Sequence, residues 1–131
     1  MSLTNLWFFI INKFDWEKFA KVTHNQYRVV SSRPYVDSKG KLPDGYKITL
    51  QVIQDDYDYG IDKNGVQREN NVFQNFEVTV LNRKQPVKKG SIITLKDFDI
   101  ENSYVFDYNI ILRFKDFEVV KAIWYCTGGC F

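Results

Sequence analysis

The chain has 131 residues, 44% of them hydrophobic, 17% aromatic and 26% charged, with a formal net charge of +2. That length fits one domain with a buried core, and no apolar run approaches the roughly 20 residues of a membrane-spanning helix. So small a net charge declares no nucleic-acid partner by itself, and the arrangement of the cations has to be read strand by strand.

Leu6-Trp7-Phe8-Phe9-Ile10-Ile11 is apolar, short and not preceded by a basic segment, so it reads as core or interface rather than as a signal peptide. Asp15 to Ala20 reads as a short helical turn with Asp15 as N-cap. Tyr27 to Val36 reads as a strand, with Pro34 favouring an edge or a bulge. On strict alternation, Tyr27, Arg33 and Tyr35 share one face of it, opposite Val30 and Val36. After a turn-rich loop over 37–45, Tyr46 to Ile53 alternates with Tyr46, Ile48, Leu50 and Val52 on one face and Lys47, Thr49 and Gln51 on the other.

Residues 54–71 form a polar excursion around Asn64-Gly65, a hairpin signal, and predict a finger projecting between the second and third strands. Its base carries Asp55, Asp56 and Asp58 around Tyr57 and Tyr59, an acidic grouping expected to repel phosphate unless Arg68 offsets it. Phe76, Val78 and Val80 alternate in a third strand; Lys89-Gly90 makes a turn; Ile93 and Leu95 alternate in a fourth. Tyr104 to Ile123 reads as a fifth, with Ile110, Leu112 and Phe114 alternating with Ile111, Arg113 and Lys115 and a bend or bulge at Asp116.

These elements predict an all-β fold: a five-stranded antiparallel barrel of the oligonucleotide-binding (OB) type with little or no helix. It spans about 27–123 of a single domain over 1–131, with apolar extensions at both ends. The predicted core is Ile48, Leu50, Phe76, Val78, Val80, Ile93, Leu95, Ile110 and Leu112.

Lys47-Ile48-Thr49-Leu50, the polar finger, Phe76-Glu-Val-Thr-Val-Leu81 and Lys89-Gly90-Ser91-Ile92 follow in an order that resembles bacterial and phage single-stranded-DNA-binding proteins. The resemblance covers about residues 27 to 114. It implies coverage of single-stranded DNA with little sequence preference, in replication, recombination or conjugative transfer of a phage or mobile element. It also implies self-association and further replication or transfer proteins as partners. The family's first base-stacking aromatic falls within a residue of Tyr57; a second falls near Phe73 and Phe76; the third corresponds to Leu81, which cannot stack. The family's helix between strands three and four has no room in 82–87, and its acidic, Phe-terminated tail has no counterpart here.

A nucleic-acid strand needs cations for phosphates and flat rings for bases. The candidates are Tyr27, Arg33, Tyr35, Lys47, Tyr57, Arg68, Phe73 and the basic turn Arg83, Lys84, Lys88 and Lys89, with RNA as an alternative ligand. Against this stand packing roles for the tyrosines and simple solvation for the basic turn. His24 is the single histidine, and neither a phosphate-binding glycine loop nor a nucleophile elbow occurs, so no enzyme, metal or cofactor is expected. Cys126 and Cys130 read as ordinary tail thiols rather than as zinc ligands with His24, and the default compartment is a reducing cytoplasm. The competing reading is a protein-binding OB-like adaptor or structural component, favoured by the near-neutral charge and the acidic finger base.

Overall fold

The structure, a computed structural model, describes residues 3–10, 13–81, 87–106 and 109–121, with the backbone alone at Lys121. A 3-10 turn (Leu6–Phe9) leads to helix α1 (Trp16–Thr23), then to strands β1 (Tyr27–Tyr35), β2 (Gly45–Val52), β3 (Asn75–Leu81) and β4 (Ile92–Phe98). A second 3-10 turn (Ile100–Asn102) precedes β5 (Tyr104–Phe106) and β6 (Asn109–Lys121). The sheet order is β3-β2-β1-β4-β6-β5, and a parallel pairing of β3 with β6 closes five of these strands into a ring. The other pairings are antiparallel.

The alternation seen in the sequence sets the inward face. Ile48, Leu50, Phe76, Val78, Val80, Ile93, Leu95 and Leu112 are buried as expected, and Ile110 is half-buried against them. The final segment departs from expectation. It is a hairpin rather than one strand, with Tyr104 paired to Ile111 and Phe106 to Asn109, so that β5 forms an outer edge.

Pro34 lies where β1 has left β4, which pairs only with Tyr27 and Arg28; its missing N–H therefore costs no ladder bond on that side. A bulge interrupts β1 between Val29 and Ser31: Val29 faces Leu50 and Ser31 faces Thr49, leaving Val30 as the extra residue. One inserted residue exchanges the two faces of a strand. Tyr27 and Val29 consequently point inward, whereas Arg33 is exposed and Tyr35 half-exposed on the outside.

Helix α1 forms because Asp15 accepts a hydrogen bond from the Lys18 N–H (3.1 Å), an N-cap worth about 1 kcal/mol. Trp16, Phe19 and Thr23 make up its buried face. It ends at His24 and Asn25, both in the left-handed region, and the Asn25 side chain then bonds the backbone of Leu95 on β4 through both N–H and C=O. No helix among the described residues is long and apolar enough to cross a membrane.

The N-terminal apolar run is expected to close the ring's end or to join subunits. Residues 3–10 cover their own chain: Phe9 is buried against Phe19 (ring centroids 5.2 Å), Tyr57 (5.4 Å), Tyr59 (6.1 Å) and Phe14 (6.2 Å). The column continues inward through Phe19 to Phe76 and from Tyr27 to Phe76. Many of the aromatic rings are thus internal, while Trp7, Phe73, Tyr104 and Phe106 are exposed.

The finger between β2 and β3 is also different from the sequence expectation. Residues 53–74 contain no strand; only the tip is hairpin-like, with Ile61 bridged to Gln67 and Gly65 at φ +77° in the turn. The rest folds back onto the N-terminal segment.

Two substitutions probe this architecture. Leu112→Ala should lower the urea-unfolding free energy by roughly 2–5 kcal/mol through lost transfer energy and a cavity. Gly45→Ala should be at least as damaging, because a Cβ there would lie 2.0 Å from the Val80 carbonyl oxygen on the facing strand; an unchanged midpoint for either variant contradicts the register described.

Candidate nucleic-acid interface

Two groups of the sequence-predicted residues come together. The first lies on the outer face of β1 and β2. Arg33 is directly opposite Lys47, and both reach Glu77 on β3, at 3.3 Å and 3.7 Å respectively. The Lys47 ammonium also stands 5.6 Å from the centre of the Tyr35 ring. Ring and cations are side by side, as stacking and phosphate binding require, but the carboxylate of Glu77 occupies the space between the two cations.

The second group lines an open cleft of about 630 Å³ beside the start of β3, formed by Tyr57, Tyr59, Gln67, Arg68, Glu69, Asn70, Val72, Phe73 and Gln74. Phe73 is 73% exposed and has φ +70°, a conformation costly for a bulky side chain. It is held there because its N–H donates to Val52 O (2.8 Å) while the Val52 N–H donates to Gln74 O (2.9 Å). Two ladder bonds to one residue of β2 leave Phe73 as the bulged position, with its ring turned to solvent. The Arg68 guanidinium is aimed by its Nη1 bonds to Tyr59 O (2.9 Å) and Ile61 O (3.3 Å).

Tyr57 reaches this cleft with part of its ring. The remainder packs edge-on against Phe8 and Tyr59, and the Lys18 ammonium lies 4.8 Å from its centre. Between the two groups run the outward residues of β2, Lys47, Thr49 and Gln51, a distance of roughly 13 Å at about 3.3 Å per residue. Gln51 faces Asn75, two residues beyond Phe73.

Tyr27 does not belong to this surface. It is fully buried, its hydroxyl paired with Thr23 Oγ1 at 2.7 Å, and its ring meets Phe76 edge-on at 5.0 Å. The bulge explains the difference: counted straight, Tyr27 shares a face with Arg33 and Tyr35; with Val30 looped out, it does not. Phe76 is likewise core rather than a second stacking ring. Lys88 and Lys89 are exposed on the turn entering β4, which is tied by Gly90 N–H to Val29 O (2.8 Å) on the flank of β1 away from β2. Arg83, Lys84, Cys126 and Cys130 lie outside the described residues.

The acidic base of the excursion is dispersed rather than gathered. Asp55 is buried; its Oδ2 accepts from the Tyr59 hydroxyl (2.6 Å) and the Asn71 N–H (2.9 Å), and its Oδ1 from the Tyr57 N–H (3.1 Å). Asp56 pairs with His24, and that hydrogen bond holds its carboxyl below the usual carboxylate range. Asp58 accepts from the Gly60 N–H (2.9 Å) in its own turn. Trp7, to which the sequence assigns only packing or assembly, is 61% exposed next to Arg68.

Compared with protein-family models, curated proteins and solved structures, the chain matches none.

The buried tyrosines give a test of this packing. Burial pushes the phenols of Tyr27 and Tyr59 well above their ordinary value, and for Tyr59 the hydrogen bond to Asp55 adds to it. Both phenols stay protonated in the folded state where the unfolded chain ionises, so stability is fully present below about pH 10 and falls as pH rises above it. An alkaline absorbance titration should show these two phenolates only on unfolding, and Tyr27→Phe should remove one of them; reversible titration of all tyrosines near pH 10 in the folded protein would disprove the burial.

Proposed function

We propose that this chain is a non-enzymatic protein of the OB type that binds single-stranded DNA with little sequence preference. The observation that carries the reading is Phe73: a solvent-facing ring on a strained backbone, beside an oriented Arg68, in an open cleft. An apolar ring kept outside at conformational cost is a feature of ligand contacts. Further support comes from the ring order β1-β2-β3-β6-β4, closed by the parallel β3–β6 pair, and from the track of Tyr35, Lys47 and Arg33 on the outer face of β1 and β2. The outer face of strands two and three is the one that OB folds use for oligonucleotides.

Bases would stack on Phe73, the free part of Tyr57 and Tyr35; phosphates would be met by Arg68, Arg33 and Lys47, with Lys88 and Lys89 as peripheral cations and Arg83 and Lys84, outside the described residues, as further candidates. Glu77 competes with phosphate for Arg33 and Lys47, so stacking carries more of the affinity than charge does. Coverage of single strands during replication, recombination or transfer of a mobile element, with self-association along the strand and in a reducing cytoplasm, is the role that goes with this chemistry. A protein-binding adaptor is the second reading, and the observation in its favour is the edge strand β5, whose Tyr104 and Phe106 are exposed.

Titration of an oligo-dT at several salt concentrations separates the two. Phe73→Ala should weaken binding by roughly 1–3 kcal/mol with the salt slope unchanged. Arg33→Ala or Lys47→Ala should flatten that slope by up to about 0.7 for each phosphate that is no longer neutralised. Glu77→Gln should tighten binding at low salt by releasing both cations. Duplex binding equal to single-strand binding, or none at low salt, would shift the assignment to the adaptor.

A further inference from the structure

The 3-10 turn Leu6–Phe9 has three residues per turn, so Leu6 and Phe9 share a face and Trp7 is directed elsewhere. Phe9 is buried and Leu6 packs on the core, while the indole of Trp7 stands in solvent. This exposure is not that of a loose terminus. The Thr4 N–H donates to Asn71 Oδ1 (2.6 Å) and Asn71 Nδ2 donates back to Thr4 O (3.1 Å), a two-bond clamp made by a fully buried amide. Asn5 Nδ2 donates to Glu69 O (2.8 Å), and Lys18 Nζ donates to Phe8 O (2.7 Å). Trp7 is thus presented from a segment fastened on both sides.

Its ring is also supported from below and flanked. Phe8 lies nearly parallel to it, 5.2 Å between centroids at 29°. The Arg68 guanidinium sits 5.8 Å from the centres of both rings. That guanidinium is the one that lines the Phe73 cleft, and the two backbone acceptors it satisfies both engage Nη1, leaving other N–H groups for a phosphate. An indole backed by a second ring, beside an arginine that also lines the cleft of the exposed Phe73, has the parts needed to seat successive nucleotides: a base on each ring and a linking phosphate at Arg68.

We propose that Trp7 is a further nucleobase-stacking platform, continuous with the Phe73 cleft through Arg68, so that a bound single strand runs from the outer face of β2 over the end of the ring that the N-terminal turn covers. This rests on the single-stranded-DNA reading above and lengthens its footprint by a segment outside the five-stranded ring. The chemical class of ligand is an unpaired nucleobase with its 3′ or 5′ phosphate; a paired base in duplex offers no free face.

The test is a titration of the full chain with oligo-dT of about 16 nucleotides, the upper range for one such fold, read by tryptophan fluorescence and independently by anisotropy of a labelled oligonucleotide. Among the described residues the other tryptophan, Trp16, is buried; with Trp124, which lies outside them, replaced by Phe in every protein compared, quenching should be dominated by Trp7. Trp7→Ala should bind about 5- to 150-fold more weakly, the loss of one stack, with an unchanged urea midpoint because the indole is not core. Trp7→Phe should keep a stacking face, and so hold affinity within a few-fold of wild type, while losing most of the quench. Wild-type protein that binds the oligonucleotide with Trp7→Ala binding equally well, or with quenching undiminished in Trp7→Phe, overturns the platform alone; wild-type protein that leaves the oligonucleotide unbound at low salt overturns the DNA reading and the platform together.

Discussion

The carboxylate of Asp55 and the side-chain amide of Asn71 form one buried network with the hydroxyl of Tyr59, and three separate stretches of chain meet there. Asp55 gathers donors from the loop after β2 and from Asn71, four residues before β3; the Asn71 side chain reaches past them to the backbone of Thr4. A charged group away from water is costly unless hydrogen-bonded, and here the cost is offset by three donors to its two oxygens. Because the bonds run between segments distant in sequence, the network does more than satisfy itself. It draws the excursion back onto the ring, seats Phe9 among Phe19, Tyr57 and Tyr59, and fixes the place from which Trp7, Arg68 and Phe73 face solvent.

This constraint explains why an excursion that reads as a projecting finger is not one. Asn64-Gly65 does make a tight turn, and Asp62 bonds across it to Val66. The flanks, however, meet through the side chains of Asp55, Tyr59 and Asn71 and through the N-terminal segment rather than as a β ladder. Local turn chemistry was legible at the tip; the long-range pull of Asp55 and Asn71 was not, since nothing in the spacing of two polar residues distinguishes a buried network from a solvated loop. The same blindness made Asp55, Asp56 and Asp58 read as one acidic patch, although each is directed to a different partner.

On the sheet, the alternation of Ile48, Leu50 and Val52 with Lys47, Thr49 and Gln51 was readable because β2 is regular and paired on both sides. On β1 the reading held only beyond the bulge, where Arg33 and Tyr35 lie outside, and failed before it, at Tyr27. Valine at position 30 is an unexceptional strand residue, and its being looped out depends on pairing to β2 that the sequence of β1 alone does not express. The consequence is a split among the predicted contacts: Arg33, Tyr35 and Lys47 gather outside, and Tyr27 becomes a core ring. The hairpin of β5 and β6 was missed because Tyr104 to Ile111 carries no Gly or Pro, and the turn-favouring Asp107 and Asn109 are single residues among strand-formers.

What the described surface offers a ligand is uneven in kind. Its cations are few and partly engaged: Arg33 and Lys47 with Glu77, Lys18 with the Phe8 carbonyl and the Tyr57 face, Arg68 with two carbonyls. Of its exposed rings, Phe73 is positioned by backbone bonds to Val52, while Trp7 packs beside Phe8 and Arg68 and Tyr35 beside Lys47. In water a phosphate must displace Glu77 before it gains Arg33 and Lys47, and salt screens that gain further. A base stacking on Phe73 displaces only solvent from an apolar ring whose strain has already been met by folding. If the proposed single-stranded ligand binds here, the rings would supply affinity that tolerates any base and the cations would chiefly set the path between them; this division follows from which side chains are already occupied, without reference to net charge.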